Sequence, residues 1–282
     1  MAIDHAALMR LTFPEREFHW TERDTLLYNL SVGMGRDMPA DLRFVFERDL
    51  QSVPTQAAVV AWEDTWQESA GVDITKIVHG EQRVTLHRPL PSEGRVRSTF
   101  RIAACYDKGP GRGAVLLAET VLREPGIDAP LATLLSTVFA RGDGGFGGPA
   151  GRGPDPHPVP ERAPDRTVHI DVRPEQAMFY RLTGDRNPLH VDPAFATAAG
   201  FDQPILHGLC SWGMAAAAVV REACDRDASR LAHFEARFTA PVYPGEALAF
   251  DLWFEGDTVS LRGRVPQRGV TVLDHGQALL RH

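Results

Sequence analysis

Apolar and polar side chains alternate, with β-branched residues among them, over Val84–His87, Val96–Ile102, Ala114–Leu122, Ala232–Phe238, Leu248–Phe254 and Val270–Leu273. That two-residue period predicts strands. Helices are predicted at Glu22–Leu30 and Thr55–Trp62 in the first part of the chain, and at Pro174–Leu182 and Gly208–Cys224 in the second. The last of these is rich in alanine and apolar nearly all round, so it is expected to be buried on most sides. Its longest apolar run, Met214–Val220, falls far short of the ~20 residues that span a bilayer, and no membrane partner is expected. Each part reads as two helices followed by strands. A buried helix wrapped by a long antiparallel sheet, once per half, is an α+β arrangement.

The halves are separated by a change in composition. Gly142–Gly148 reads GDGGFGG, and Pro149–Arg166 continues with six prolines. Such a stretch favours turns and extended backbone. It divides the chain into an N-terminal half (1–148), a linker (149–166) and a C-terminal half (167–282). Halves of similar size invite a search for a repeat. His79-Gly-Glu81-Gln-Arg83-Val-Thr85 and His233-Phe-Glu235-Ala-Arg237-Phe-Thr239 share the pattern HxExRxT. Upstream, Tyr28-Asn-Leu30-Ser31 is echoed by Tyr180-Arg-Leu182-Thr183. Two matches in the same order indicate a duplication.

Composition narrows the class of function. In 282 residues, 43% are hydrophobic and 24% charged, a globular balance that excludes disorder, collagen and coiled coil. The net charge of −7 argues against a nucleic-acid partner, although local basic residues still suit an anionic small ligand. Cys105, Cys210 and Cys224 show no CxxC spacing, so neither a disulfide framework nor a zinc site is expected, and a reducing, cytoplasmic setting is. Met1–Arg10 has no apolar stretch of the signal-peptide kind, and Leu280-Arg281-His282 is not a peroxisomal address.

The densest polar cluster is Thr183-Gly184-Asp185-Arg186-Asn187-Pro188-Leu189-His190. Gly184 and Pro188 break the preceding helix, which leaves Asp185, Asn187 and His190 on a shaped loop. A carboxylate and an imidazole around one water can divide acid and base roles, and an amide can orient either. The plain alternative is an Asx-type turn capping a helix at Pro193–Ala199. Downstream, Pro204-Ile205-Leu206-His207-Gly208 opens the buried Ala-rich helix. A helix start offers unsatisfied N–H groups and a positive dipole end, and Gly208 lets a ligand atom approach them. That is the make-up of an oxyanion hole, or else a plain helix start at a tight turn.

Tyr180 through His190, with Ala196 six residues later, resembles the signature of the MaoC-like hydratase 2 family, the R-specific 2-enoyl-CoA hydratases. Thr21-Glu-Arg-Asp24 before Tyr28, His79-Gly80-Glu81-Gln82, Asp107-Lys108-Gly109 and Gly144-Gly145-Phe146-Gly147-Gly148 look like the eukaryotic-type hydratase 2 domain, so the resemblance covers nearly the whole chain. It implies a double hot dog fold, two sheets each wrapped round a helix and joined side by side. It also implies Asp185 and His190 as the catalytic pair, Asn187 as their support and Gly208 as the donor to the thioester oxygen. His79, Gly80, Lys108 and Phe238 fall where the family contacts acyl-CoA. The implied reaction is reversible syn hydration of a trans-2-enoyl-CoA to a (3R)-3-hydroxyacyl-CoA, by a homodimer.

In the first half, Tyr28-Asn-Leu30-Ser31 is followed by Val-Gly-Met-Gly-Arg-Asp37, without the acid, amide and imidazole. That half is expected to hold a medium, long or bulky acyl chain instead. Asp185, His190, Asp192 and His207 carry ligand atoms for a metal, but the implied hydration needs none, so neither metal nor other cofactor is expected. GDGGFGG lacks the Lys-Ser/Thr of a phosphate loop and reads as a domain turn. Two other functions remain in view: a hot-dog acyl-CoA thioesterase, and an acyl-CoA binding protein without turnover.

Overall fold

The computed structural model describes residues 3–63, 66–72 and 76–281, apart from the Glu68 side chain. Its strands are β1 (Arg16–Trp20), β2 (Ile77–Leu86), β3 (Gly94–Asp107), β4 (Ala114–Arg123), β5 (Ala132–Ala140), β6 (Arg166–Asp171), β7 (Leu231–Phe238), β8 (Ala247–Glu255), β9 (Thr258–Val265) and β10 (Val270–Leu280). They form one antiparallel sheet in the order β1-β3-β4-β5-β2-β7-β10-β9-β8-β6. Read outward from its centre, the order is the same in both directions, with β2 matching β7, β5 matching β10 and β1 matching β6. This is the double hot dog, with the two halves hydrogen-bonded into a single sheet through β2 and β7.

The helices are α1 (His5–Leu8), α2 (Glu22–Ser31), α3 (Leu42–Val45), α4 (Ala57–Val60), α5 (Trp66–Ser69), α6 (Gln176–Tyr180), α7 (Pro193–Ala198) and α8 (Gly208–Ala223). Every residue of α8 from Leu209 to Val220 is buried. Its inner face meets the first half directly: a Cβ on Gly213 would lie 2.6 Å from Val32 Cγ1 and 2.9 Å from the Tyr28 hydroxyl. The main core accordingly mixes residues of both halves, among them Tyr28, Val84, Leu122, Tyr180, Trp212 and Phe234.

The helix expected at Thr55–Trp62 is a 3-10 turn, Pro54–Gln56, followed by the single turn of α4. Val59 and Val60 are β-branched and weak helix formers, and Ala61 has already left helical backbone at φ −129° and ψ 51°. Four strands, β1, β5, β6 and β9, lie outside the six expected segments. The edge strands β1 and β6 are largely polar and owe their strand state to pairing with β3 and β8. Strands β5 and β9 are not among the expected strands either, although β9 alternates Val259, Leu261 and Val265 with Ser260, Arg262 and Arg264. Beyond Leu273, β10 continues through an irregularity at 274–277, where His275 has φ +56° and Gly276 lies against Leu261. A Cβ on Gly276 would sit 2.2 Å from Leu261 Cγ, so the bulge needs glycine and interrupts the two-residue period.

The segment 149–166 is extended, but it is pinned to the sheet. The Asp107 carboxylate at the end of β3 accepts N–H bonds of 2.7 Å each from Gly109, Gly145 and Gly147, which hold it below the usual carboxylate range. The Asp107 N–H donates to the Pro149 carbonyl at 2.8 Å. Further on, Arg237 donates to the Pro154 carbonyl at 2.9 Å and His157 bonds Ser260 at 2.7 Å. GDGGFGG is thus a strap across the β3–β4 turn.

Candidate active site

The site is built where α6 runs out. A 3-10 turn, Arg181–Thr183, leads to Gly184, and a second, Pro188–His190, carries the chain into the core. Between them the loop is shaped by its own side chains. Asp185 Oδ1 accepts from the Asn187 N–H at 3.0 Å, and Asn187 Oδ1 accepts from the Leu189 N–H at 3.0 Å. The turn reading of Asp-x-Asn is therefore correct locally. The cap of α7 falls elsewhere, on Asp192, which accepts from Ala194 at 2.8 Å.

The turn leaves the second carboxylate oxygen of Asp185 facing His190, with Oδ2 3.9 Å from Nε2. His190 is 7% exposed, and its Nδ1 lies 2.9 Å from the Ile205 carbonyl. A carbonyl only accepts, so Nδ1 carries the proton and Nε2 presents a lone pair toward Asp185. Burial pushes the His190 pKa down against the opposing pull of the Asp185 charge, and the ring is neutral near pH 7. His207 stacks on it, with centroids 3.7 Å apart and planes 27° from parallel. His207 donates from Nε2 to the Asp185 backbone carbonyl at 3.1 Å. Its pKa is lowered to about 2, by burial first and by His190 second.

Gly208 opens α8 beside this pair, and among the described residues its N–H meets no acceptor. The helix start is therefore a free donor with the dipole behind it. Phe238 closes the other side: a Cβ on Gly208 would lie 3.2 Å from its ring. The His79 ring is 4.9 Å from Phe238. Burial lowers the His79 pKa to about 4, and its Nε2 has no partner among the described residues. Gly80 occupies the register shift of β2 between His79 and Glu81.

The structure thus gathers Asp185, Asn187, His190, Gly208, Phe238, His79 and Gly80 into one region. Lys108 stands apart, in the β3–β4 turn, where its N–H donates to the Gly113 carbonyl at 3.0 Å. By register, Asp107 is level with Ile77 across three strand spacings, about 14 Å. The structure does not bring Lys108 to the Asp185–His190 pair. Sequence reasoning weighed His207 only as a metal ligand and passed over its stacking on His190. The Tyr28/Tyr180 echo was the available signal, since Tyr180 packs 5.0 Å from His207.

Asp185, His190 and His207 each offer a ligand atom, all within 4.8 Å of one another. Ligands at about 2.1 Å from a tetrahedral zinc would stand about 3.4 Å apart. Stacked rings also direct their lone pairs side by side, not toward a common point, so the cluster does not fit a metal as it stands. Asp192 is occupied as a cap and lies outside it.

A cavity of about 160 Å³ adjoins the loop. Its lining is mixed: His19, Asp24 and Gln56 stand beside Trp20, Leu27, Tyr28, Val59 and Val60 from the first half, with Leu182 and Thr183 from the second.

Sequence models of two protein families match the chain: the MFE-2 hydratase 2 N-terminal domain over residues 18–142, and the MaoC like domain over residues 156–274. Enoyl-CoA hydratase ChsH3 of Mycobacterium tuberculosis is 40% identical over 289 residues, covering 99% of each chain. The 3-hydroxyacyl-thioester dehydratase Y of the same organism is 40% identical, covering 90% of this chain and 88% of its own. Among solved structures, a MaoC-like dehydratase from Phytophthora capsici superposes with a TM-score of 0.88 at 30% identity, covering 99% of both chains.

Proposed function

The chain belongs to the MaoC-like dehydratase family with a hydratase 2 N-terminal half, and from that premise we propose that it hydrates trans-2-enoyl-CoA reversibly to (3R)-3-hydroxyacyl-CoA. The observation that carries the reading is the opposed pair, Asp185 Oδ2 and His190 Nε2 at 3.9 Å, beside the free N–H of Gly208. A water hydrogen-bonded to both acceptors bridges that gap.

The site residues divide the chemistry as follows. His190 Nε2 takes one proton from the water as its oxygen attacks C3. The Asp185 carboxylate steadies the imidazolium that forms. The C2–C3 electron pair moves through C1 onto the thioester oxygen, where the Gly208 N–H and the helix end receive the charge. His190 then returns the same proton to C2. One group giving back the proton it took adds H and OH to one face, and no charge or electron is left over. Addition of water is not a redox step, so the proposal includes no cofactor.

The first half takes the acyl tail in this reading. Support comes from the cavity at Tyr28, Val59 and Val60, comparable to the ~150 Å³ that admits a benzene-sized group. A medium, long or bulky chain, which we propose as the substrate, would fill this cavity with part of its tail and extend beyond it. Lys108 serves the CoA phosphates, and the enzyme acts as a cytoplasmic homodimer.

The test is loss of enoyl-thioester absorbance with trans-2-decenoyl-CoA, with chiral analysis of the product and a parallel thiol assay. The (R)-3-hydroxy product without free thiol is expected. Asp185→Asn and His190→Gln should each remove nearly all turnover while the chain stays folded. Free thiol would move the reading to a thioesterase, and tight binding without turnover to a binding protein.

A further inference from the structure

We infer that His207 is a positioning residue: its imidazole ties the loop bearing Asp185 to the helix start at Gly208, with the Tyr180 hydroxyl as the partner of its Nδ1. The inference rests on the hydratase reading above and adds to it residues that touch neither substrate nor proton.

His207 sits between the two halves of the chemistry. Its own backbone begins α8: its carbonyl accepts from Cys210 at 3.0 Å and from Ser211 at 3.3 Å. Its side chain does not cap that helix. It turns away and donates from Nε2 to the Asp185 carbonyl, 22 residues back in the chain. One residue therefore sets the distance between the carboxylate loop and the Gly208 N–H. It also sets the plane of His190, by stacking on that ring while Ile205 holds His190 Nδ1. Catalytic groups lose rate steeply when displaced by about 1 Å, so a single tether on both is of direct consequence.

The tautomer completes the argument. Donation from Nε2 to a carbonyl leaves Nδ1 as a bare acceptor. That atom is buried in a residue 1% exposed, and among the described residues it has no partner. The fully buried Tyr180 ring lies 5.0 Å away, and its hydroxyl meets only that of Tyr28, without a well-formed hydrogen bond among the described residues. As placed, the Tyr180 hydroxyl and His207 Nδ1 do not bond each other, and the hydroxyl also interacts with that of Tyr28. Buried polar atoms are nearly always paired, so in the inferred network Tyr180 accepts from Tyr28 and gives its own proton to His207 Nδ1. Tyr28 follows behind Tyr180 at 6.1 Å between centroids, so the first half backs this support.

The experiment compares steady-state hydration of trans-2-decenoyl-CoA by the wild-type chain, His207→Phe, His207→Gln, Tyr180→Phe and the Tyr180→Phe/His207→Phe double variant. Phenylalanine keeps a stacked ring and loses both nitrogens. Glutamine keeps an N–H that reaches the Asp185 carbonyl. His207→Phe is expected to lower kcat about 30-fold with KM changed less than about threefold, and His207→Gln to recover most of that loss. Tyr180→Phe should lower kcat about threefold alone and have no further effect on His207→Phe. An unchanged kcat in His207→Phe, a Gln variant as poor as Phe, or multiplying effects in the double variant would overturn the inference. If His207→Phe does not fold, Tyr180→Phe decides alone, and unchanged turnover overturns it. Imidazole 15N shifts read the pair without turnover. An Nε2-protonated His207 whose Nδ1 shift moves in Tyr180→Phe is expected, and an Nδ1-protonated ring overturns the inference even if the chain hydrates nothing. Failure of the wild-type chain to hydrate is a separate result that falls on the hydratase reading.

Discussion

Arg83 and Glu235 face each other across the seam between the halves at 2.9 Å, and Arg237 and Glu81 repeat the pair in reverse at 2.6 Å. The duplicated HxExRxT pattern is therefore its own partner. Antiparallel pairing of β2 with β7 sets Arg83 opposite Glu235, Glu81 opposite Arg237 and Thr85 opposite His233. Glu81 and Glu235 are 3% and 4% exposed, and Arg83 also contacts Glu81.

Removing Arg83 leaves two buried carboxylates short of a partner. Arg83→Ala is expected to cost about 3 kcal/mol, because breaking a buried pair strands the remaining charge. Arg83→Ala/Glu235→Ala should cost less than the sum of the two single changes. Urea midpoints at unchanged m value are the measurement; an additive result would show that the pair is not coupled.

Stability should fall on acidification between about pH 6 and pH 4. Unfolded histidine titrates near 6.5, whereas folded His207 is held at about 2 and His79 at about 4, chiefly by burial. In that window the unfolded chain binds protons that the folded chain refuses, so the free energy of unfolding drops as pH falls. Each such group contributes about 1.4 kcal/mol per pH unit. His207→Phe should flatten the slope by about that amount, read from urea titrations at several pH values. An unaltered slope would mean that His207 is protonated in the folded state.

Gly208→Ala tests the helix-end donor. Its Cβ would meet Phe238 at 3.2 Å, so ring or helix must shift by a few tenths of an ångström. The N–H survives the substitution, so turnover is expected to fall about tenfold through its displacement, less than the roughly hundredfold seen when an oxyanion donor is removed outright. Adding Phe238→Leu should restore part of kcat, because the crowding atom is gone. No recovery in the double variant would place the damage elsewhere.

Val60→Phe tests where the acyl tail runs. The residue lines the 160 Å³ cavity next to Leu182 and Thr183, so a larger side chain narrows it. We expect kcat/KM to fall at least about tenfold for trans-2-decenoyl-CoA and little for crotonyl-CoA, since a blocked pocket removes binding that only the longer chain uses. Equal losses on both substrates would show that the tail lies elsewhere.

Much of the architecture was legible in the order of residues. Alternation marked β3, β4, β7 and β8 within a few residues of their ends, and the apolar run from Gly208 announced the buried helix. The Asp185–His190 cluster stood out because Gly184 and Pro188 interrupt the helix pattern around it. Strands β1 and β6 were not legible, because a polar edge strand takes its state from the neighbour it pairs with. Nor was the shortness of the first-half helix at Val59–Val60.

By itself the sequence determined the duplication, the α+β pattern in each half and which half kept the acid, amide and imidazole. These are local properties: periodicity, a broken helix, residue types within six positions. Tertiary structure alone decided that Glu81 meets Arg237, that the strap at Gly145 and Gly147 is caught by Asp107, and that His207 stacks on His190 while tethering Asp185. Each of these contacts joins residues separated along the chain. Which partner a buried charge or imidazole finds is set by strand register and core packing, and no stretch of sequence near the residue records that choice.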